Sequence, residues 1–204
     1  EFTEFPRTHL DSLRQPLETS RVTISRAMQT LTFPAAFVLI AACNPCPCGY
    51  KNDTVQACIC TPGQAMRYWS KVSGPILDRI DMRVEVKRLS QNDMLVQPAM
   101  HERTKWMRET VQAAIERQRK RNIFDGKFVY NANLNHRQME KVCVMPADLK
   151  SYLVSSAHKF AFSVRAYDRV IRMSRTIADI KGHDEIEKLD VCEALGYRTQ
   201  NFGI

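Results

Sequence analysis

Four cysteines are the residues of this sequence whose type and spacing most clearly predict chemistry. They form two Cys-x-Cys pairs, Cys46 with Cys48 and Cys58 with Cys60, and nine residues separate the pairs. Four thiolates can surround Zn²⁺ as a closed tetrahedron, and no histidine lies nearby in the sequence to suggest an open, catalytic site. We therefore predict a structural zinc site. Disulfides, or reduced thiols without a metal, are the alternative.

Two polar residues stand where a ligand could bind. Asn44 follows the apolar run FPAAFVLIAAC, which predicts a buried strand, and open α/β sheets bind ligands beyond the carboxyl ends of their strands. Ordinary Asn-Pro turn chemistry is the alternative. Arg79, in GPILDRIDM, either stabilises charge during phosphoryl transfer or forms a surface ion pair with a neighbouring aspartate. Both residues are candidates for contact with a phosphate.

Arginines recur along one predicted helix, FSVRAYDRVIRMSRTIADI at 162–180, with apolar side chains on its opposite face. We predict that these arginines form a solvated basic face, and that ERQRKR at 116–121 is a solvated helix end. The arginine stripe consists of Arg165, Arg169, Arg172 and Arg175. The predicted core-facing stripe consists of Val164, Tyr167, Ile171, Ser174 and Ala178.

Overall charge and cysteine content narrow the class of protein. The formal net charge of +8 favours an acidic partner such as a nucleic acid or a nucleotide. Seven cysteines, without a secretory signal in the opening EFTEFPRTHL, favour a reducing cytoplasm over a disulfide framework. No apolar run approaches the ~20 residues that cross a bilayer, so no membrane partner is expected.

The elements that must position these residues divide the chain into an α/β part, 1–88, and an all-α part, 89–204. In the first part we expect a helix over 4–18 that Pro16 ends or bends, and a second helix over 61–74. The predicted strands lie at 21–25, 28–33, 35–43 and 82–86. The predicted helices of the second part lie at 91–97, 99–121, 135–142, 146–160, 163–181 and 186–197. The predicted caps are Thr61, Asn135 and Ser163 at N-termini and Gly74 and Gly182 at C-termini.

In their order along the chain, these motifs resemble the Mg-chelatase-related AAA+ ATPases of the ComM/YifB type. The segments that carry the resemblance are LRQPLETSRVTISRA, FVLIAACNPCPCGY, CICTP, SGPILDRIDMRVEV, SVRAYDRVIRMSRTIADI and ALGYR, which together cover essentially the whole chain. The resemblance implies a partial α/β AAA+ P-loop NTPase core with a pre-sensor-1 β-hairpin and a zinc loop, followed by an all-α lid. It further implies ATP and Mg²⁺ as cofactors of the parent protein, a hexameric ring, and DNA branch migration during transformation or recombination.

The resemblance also implies roles for single residues in ATP hydrolysis. Glu1 corresponds to the Walker B glutamate that orients the attacking water. Asn44 corresponds to sensor 1, and Arg165, in SVRAYDR, corresponds to sensor 2 on the lid, so both are expected to contact the nucleotide. Arg79, in DRID, corresponds to the arginine finger that reaches the neighbouring subunit's nucleotide.

Two further sites follow from the same resemblance. Cys46, Cys48, Cys58 and Cys60 correspond to the cysteine pairs of this subfamily. The hairpin at about 21–33 corresponds to the one that points into the ring channel toward DNA. Its arginines, Arg21 and Arg26, are therefore expected to contact DNA phosphates without regard to base sequence.

One departure limits what this chain is expected to do alone. Its sequence contains no G-x-x-x-x-G-K-[ST] loop to cradle the phosphates, so we expect a piece of a larger motor that cannot hydrolyse ATP by itself and that leaves a sheet edge exposed. Two alternatives stay open. One is the motor subunit of a metal-chelatase-like complex, and the other is a non-enzymatic zinc-binding module that docks on nucleic acid through its basic helices.

Overall fold

The computed structural model describes residues 1–89 and 100–199, which form two compact units, Glu1–Ile80 and Asp81–Gln200. The helix predicted at 91–97 lies outside the described residues. In chain order the first unit contains a 3₁₀ turn Phe2–Glu4, α1 Arg7–Ser12, α2 Arg14–Thr19, β1 Arg21–Arg26, β2 Gln29–Pro34, α3 Pro62–Trp69 and α4 Gly74–Leu77. The second contains α5 Met100–Arg121, β3 Ile123–Phe124, β4 Lys127–Phe128, a 3₁₀ turn Asn131–Asn133, α6 His136–Val142, α7 Ala147–Lys159, α8 Val164–Lys181 and α9 Lys188–Thr199.

The helices at the start of the first unit differ from the prediction in one respect. A single helix was expected over 4–18, but the structure has α1 and α2, with Leu13 as the residue between them. Pro16 therefore follows the break instead of causing it. It lies in the first turn of α2, where a helix lacks a partner for its backbone N–H groups in any case.

The β-hairpin predicted over 21–33 is present. Its first strand is one residue longer than predicted, and its second strand is shifted by one residue toward the C-terminus. β1 and β2 pair antiparallel, with Arg21 opposite Pro34 and Arg26 opposite Gln29. Hydroxyl groups face each other across the strands, as in Thr23 and Thr32, whose oxygens are 3.2 Å apart. Almost every residue of the hairpin is exposed, because two strands alone cannot bury a face.

The buried strand predicted at 35–43 is not present, and its apolar side chains are exposed, with Val38 85% and Ile40 90% accessible. A buried parallel strand needs a neighbour on each side to pair its backbone, and no strand of the described residues pairs with this segment. Its end is held by two hydrogen bonds to Ala42 O, from Phe2 N at 2.8 Å and from the terminal amino group of Glu1 at 2.6 Å.

Helix α3 confirms its predicted start but not its predicted end. The Thr61 hydroxyl accepts from the backbone N–H of Gln64, and the Gln64 side chain accepts from the backbone N–H of Thr61, which completes a capping box. The helix ends at Trp69, and Gly74 begins α4 instead of ending α3. Pro75, which follows Gly74, favours the first turn of a new helix over the end of an old one.

The second unit is built around α8, which packs against α5, α6, α9 and the Asn131–Asn133 turn. The caps predicted at its two ends are confirmed: the Ser163 hydroxyl accepts from Ala166 N, and Gly182 closes the helix at φ +87°. The capping box predicted at Asn135 is confirmed as well. The buried hydrophobic core comprises Leu134, Met139, Val142, Cys143, Met145, Leu149, Leu153, Val170, Ile171, Met173, Ile177, Ala178, Ile186, Val191, Ala194 and Leu195.

The expectation that this unit is entirely helical is wrong at one place. β3 and β4 form a short hairpin across Asp125 and Gly126, which both have positive φ, at +51° and +72°. That pair of angles is typical of the tight turn that Asp-Gly favours.

The strand predicted at 82–86 is absent. Arg83 N donates to Tyr197 O, near the end of α9, instead of to a neighbouring strand.

The prediction of a solvated basic face on α8 is wrong for three of the four arginines, whereas Arg165 is exposed as predicted. Arg169 pairs with Asp81, Arg172 Nε donates to Leu134 O at 3.0 Å, and Arg175 is fully buried. The reason is that α8 has neighbours on several sides, which leave mainly its two ends exposed. For the same reason Val164, predicted to face the core, is 79% exposed.

A buried polar network links α5 to α8. The carboxylate of Asp179, fully inaccessible, accepts from both terminal nitrogens of Arg121 at 2.6 and 2.8 Å and lies 3.0 Å from Arg175 Nη2. Asn131 Nδ2 donates to the same carboxylate at 2.8 Å. The predicted solvated end of α5 is therefore partly wrong, because Arg121 points into this network to satisfy a buried charge.

Candidate metal centre and nucleotide-site residues

The four cysteines converge in the first unit. The Sγ atoms of Cys46 and Cys48 are 3.4 Å apart, those of Cys46 and Cys58 are 3.7 Å apart, and those of Cys48 and Cys58 are 3.5 Å apart. All four sulfur atoms lie within 4.8 Å of one another. Zn–S bonds of about 2.3 Å place the sulfurs of a tetrahedral site roughly 3.8 Å apart. The donor set therefore fits Zn²⁺, and these sulfur separations are too long for disulfide bonds.

The local sequence explains how the two pairs meet. Gly49, at φ +84°, turns the chain immediately after the first pair, and its N–H donates to Cys46 O at 3.0 Å. Further along the loop, the Asp53 carboxylate accepts from Val55 N at 2.7 Å and from Gln56 N at 3.0 Å. These bonds fold the nine intervening residues back, so that the second pair returns to the first.

The electrostatics of the cluster favour a cation among the sulfurs. A hydrogen bond from the backbone of Tyr50 lowers the pKa of the Cys48 thiol to about 6. The backbone of Cys48 also stabilises the Cys60 thiolate, but desolvation and the neighbouring thiols outweigh it and raise the pKa of Cys60 to about 12. One thiolate thus forms readily, and further negative charge beside it needs compensation, which a divalent metal supplies.

Helix α3 fixes the four-cysteine loop, residues 46–60, to the rest of the first unit. Trp69 is buried, and its Nε1–H donates to Pro45 O at 2.9 Å. Pro45 lies between Asn44 and the first cysteine of the cluster, Cys46, which is fully buried. The four-cysteine loop and Asn44 are therefore both held through the Trp69–Pro45 hydrogen bond. Sequence reasoning did not single out Trp69; its place on α3, shortly after the second cysteine pair, was the available signal.

Glu1 and Asn44 come from distant parts of the sequence to neighbouring backbone positions. Phe2 N donates to Ala42 O, so the residue after Glu1 is bonded two residues before Asn44. Both side chains are exposed. The structure therefore places the predicted Walker B glutamate and the predicted sensor 1 asparagine at the same end of the apolar segment.

Arg79 is held from several directions inside the first unit. Its Nε donates to Arg14 O at 3.1 Å, its Nη1 donates to Pro75 O at 2.7 Å, and its Nη2 pairs with the Glu18 carboxylate. Only 11% of its side chain is accessible. Sequence reasoning considered Asp78 and Asp81 as partners and missed Glu18, which is far away in sequence.

The remaining predicted site residues lie on exposed surfaces. Arg165 is in the first turn of α8, in the second unit, and its side chain is exposed. Arg21 and Arg26 are exposed at the two ends of β1. No helix among the described residues is long and apolar enough to cross a membrane.

Two sequence models of one family match the chain. Magnesium chelatase, subunit ChlI, matches residues 1–94, and the C-terminal part of the same subunit matches residues 101–198. The chain is 41% identical over 199 residues to the competence protein ComM of Haemophilus influenzae. It is 36% and 34% identical to the uncharacterized YifB proteins of Salmonella typhimurium and Escherichia coli. Each match covers 98% of this chain and 38% of the relative, so the chain spans well under half of their length.

Proposed function

The chain belongs to the magnesium-chelatase-related family of the ComM/YifB type, and from this premise we propose that it is part of an ATP-driven motor that remodels DNA. The observation that carries the proposal is the likeness to ComM over 98% of this chain. In the full-length protein, residues 1–88 contribute the back of the AAA+ nucleotide-binding core and residues 89–204 contribute the lid. The motor is a hexameric ring that uses ATP and Mg²⁺ in the cytoplasm.

Each polar residue of the proposed nucleotide site has a separate task. Water attacks the γ-phosphorus, the bond to the bridging oxygen breaks, and ADP and inorganic phosphate leave. Glu1 and Asn44 orient the attacking water, which is supported by the backbone bond that brings their segments together. Arg165 contacts the phosphates of its own subunit, and Arg79 stabilises the transition-state charge on the neighbouring subunit's nucleotide.

The four-cysteine loop binds Zn²⁺ and has a structural task in this proposal. The donor set is four thiols with near-tetrahedral separations, which leaves no position for a catalytic water. The loop begins shortly after Asn44 and is tied to α3 through Trp69. Zinc therefore stabilises the part of the first unit that carries Asn44.

DNA is the proposed substrate of the motor, and the β1–β2 hairpin is its contact. Arg21 and Arg26 are exposed there, and the chain carries a net charge of +8, which suits a phosphate backbone. A metal-chelatase motor is the second candidate, because the matching family models are named after magnesium chelatase. The two candidates differ in one simple observation, since only a DNA motor hydrolyses ATP faster when duplex DNA is added.

The test is ATP turnover by the full-length protein with and without duplex DNA. We expect stimulation by DNA, loss of turnover with retained nucleotide binding in Arg79→Ala, and weaker binding and turnover in Arg165→Ala. Arg7→Ala, at an arginine 62% exposed, is the matched control and should behave as wild type. Turnover that ignores DNA would favour the chelatase-type motor, and a full-length protein that neither binds nor hydrolyses ATP would overturn both candidates.

The hairpin assignment has its own experiment, a salt titration of DNA affinity. Each phosphate contact contributes about 0.9 to the slope of log affinity against log salt for duplex DNA. The double variant Arg21→Ala with Arg26→Ala should therefore bind more weakly and with a slope smaller by roughly 2. Unchanged affinity and slope would move the DNA contact to another basic surface, such as the arginines of α5.

A further inference from the structure

Two of the three groups that accept hydrogen bonds from the Arg79 guanidinium lie on α2. Arg14, in the first turn of α2, accepts from Arg79 Nε through its carbonyl oxygen, and Glu18, four residues later, pairs with Nη2. Residues four apart lie on one face of a helix, so the carbonyl and the carboxylate approach Arg79 from the same element. The third acceptor, Pro75 O, comes from α4, immediately before Arg79 in the chain.

The helix that carries Glu18 is itself fixed on both sides. Toward α4, the Ser73 hydroxyl accepts from Arg14 Nη2 at 3.1 Å and donates to Asp11 at 2.7 Å. Toward the hairpin, Gln15 Oε1 accepts from Thr23 N at 3.3 Å. A side chain on such a helix has few alternative positions, and this is the requirement for holding a reacting group in place.

The contact with Glu18 restricts the conformations of the Arg79 side chain. Without these contacts the long Arg79 side chain would sample many rotamers, and fixing it at the moment of reaction would cost entropy. With 33% of the Glu18 side chain and 11% of the Arg79 side chain accessible, the pair sits at the surface of the first unit but not free in solvent. The contacts therefore aim the guanidinium before any nucleotide arrives.

We propose that Glu18 is a positioning residue for Arg79: its carboxylate on α2 holds the guanidinium in the orientation that phosphoryl transfer requires. The inference rests on the proposed function, because it gives Arg79 a task in ATP hydrolysis. Glu18 does not contact the nucleotide. It acts only through Arg79, so its loss should slow the reaction step and leave nucleotide affinity unchanged.

The experiment is steady-state ATP turnover by the full-length protein carrying Glu18→Gln, Glu18→Asp or Arg79→Ala. Glutamine keeps the size of the side chain and removes its charge, so we expect kcat to fall about 10- to 100-fold while KM stays within twofold. Aspartate keeps the charge and should restore at least part of the loss. Glu109→Gln, in an exposed pair with Lys105 on α5, is the matched control and should match wild type.

The possible outcomes distinguish a failure of the Glu18 proposal from a failure of the proposed role of Arg79 in ATP hydrolysis. A wild-type kcat in Glu18→Gln, with turnover lost in Arg79→Ala, would overturn the role of Glu18 alone. Wild-type turnover in Arg79→Ala would overturn the arginine assignment and the inference together. A rise in KM equal to the fall in kcat, without rescue by aspartate, would also overturn it, because Glu18 would then act on the fold as a whole.

Discussion

The two units differ most in how their interiors hold together. In the second, sixteen buried side chains of the described residues form one hydrophobic core, whereas the corresponding cluster in the first contains only Leu10, Val72 and Ile76. The first unit relies instead on specific links: the cysteine cluster, the Trp69 bond to Pro45, and the Glu18–Arg79 pair. A region with so small a core depends on a few contacts, each of which is therefore worth more.

Removing the metal should give the largest effect and confine it to the first unit. Structural zinc supplies folding free energy directly, about 10 kcal/mol or more in small zinc domains, so a chelator should unfold the loop around Cys46 and Cys58 and leave the second unit helical. We expect about one equivalent of zinc per chain by elemental analysis. In a Trp106→Phe background, emission from Trp69, whose indole bonds to Pro45, should report the loss.

Serine in place of Cys46 gives the same comparison without a chelator. Cys143→Ser, at a cysteine buried in the second unit and outside the cluster, is the control that should retain zinc. Purified protein with well under half an equivalent of metal would contradict the zinc assignment. Equal loss of helical signal from both units would contradict the idea that only the first depends on metal.

Breaking the buried network of the second unit should come next in size. Asp179→Ala leaves Arg121 and Arg175 without their shared carboxylate, and an uncompensated buried charge costs about 3–5 kcal/mol. Urea unfolding followed by circular dichroism measures the change. Asp148→Ala, at an exposed aspartate on α7, should change the free energy of unfolding by less than about 1 kcal/mol. Equal effects of the two variants would contradict the network's importance.

The hydrophobic core of the second unit provides the third comparison. Leu153 is fully buried, and Leu153→Ala should lower the free energy of unfolding by about 2–5 kcal/mol through lost burial and a cavity. Leu189→Ala is matched in chemistry, but Leu189 is 70% exposed, so its effect should stay within about 0.5 kcal/mol. A change in unfolding free energy as small as that of Leu189→Ala would mean that neighbouring side chains repack into the cavity left by Leu153→Ala.

Acid should weaken the second unit through Asp190. Burial raises the pKa of its carboxyl, but hydrogen bonds from His183, the backbone N–H of Glu187 and Lys181 outweigh burial, and the net pKa lies below the ordinary 3.8. A lowered pKa means that the ionised form stabilises the fold at neutral pH, and that this contribution is lost as pH falls below about 4. Asp190→Asn should flatten the dependence of unfolding free energy on pH in that range. A pH dependence of unfolding free energy equal to that of wild type would contradict the role of Asp190.

The success of sequence reasoning depended on whether an arrangement is local or joins distant residues, and not on the unit in which it lies. The caps at Asn135, Ser163 and Gly182 were predictable, because a cap is a local arrangement of a few residues. The strand expected at 35–43 was not, because a strand exists only through partners elsewhere, and none of the described residues supplies them. The convergence of the cysteines followed from their spacing, since a nine-residue loop can close on itself.

Local sequence patterns could not predict ion pairs between residues that are far apart in the chain. Nothing near Arg79 in the sequence indicates Glu18, and nothing near Arg121 indicates Asp179. The hairpin turn at Asp125 and Gly126 is a different kind of omission, because Asp-Gly is a recognisable turn signal. The predicted helices ended at residue 121 and resumed at residue 135, and no strand was assigned to the segment between them.

Helix caps give the smallest effect and the sharpest comparison, because the same arrangement occurs in both units. Thr61 and Asn135 each complete a capping box, so Thr61→Ala and Asn135→Ala should each cost about 1 kcal/mol of local stability. Their wider consequences should differ. Thr61 directly follows Cys60, a proposed zinc ligand, so a looser start of α3 should weaken zinc affinity, whereas Asn135→Ala should leave it unchanged. Competition with a chromophoric chelator measures this affinity. If both variants bind zinc as wild type does, α3 does not hold the four-cysteine loop in place, and the first unit depends less on its individual links than its small core suggests.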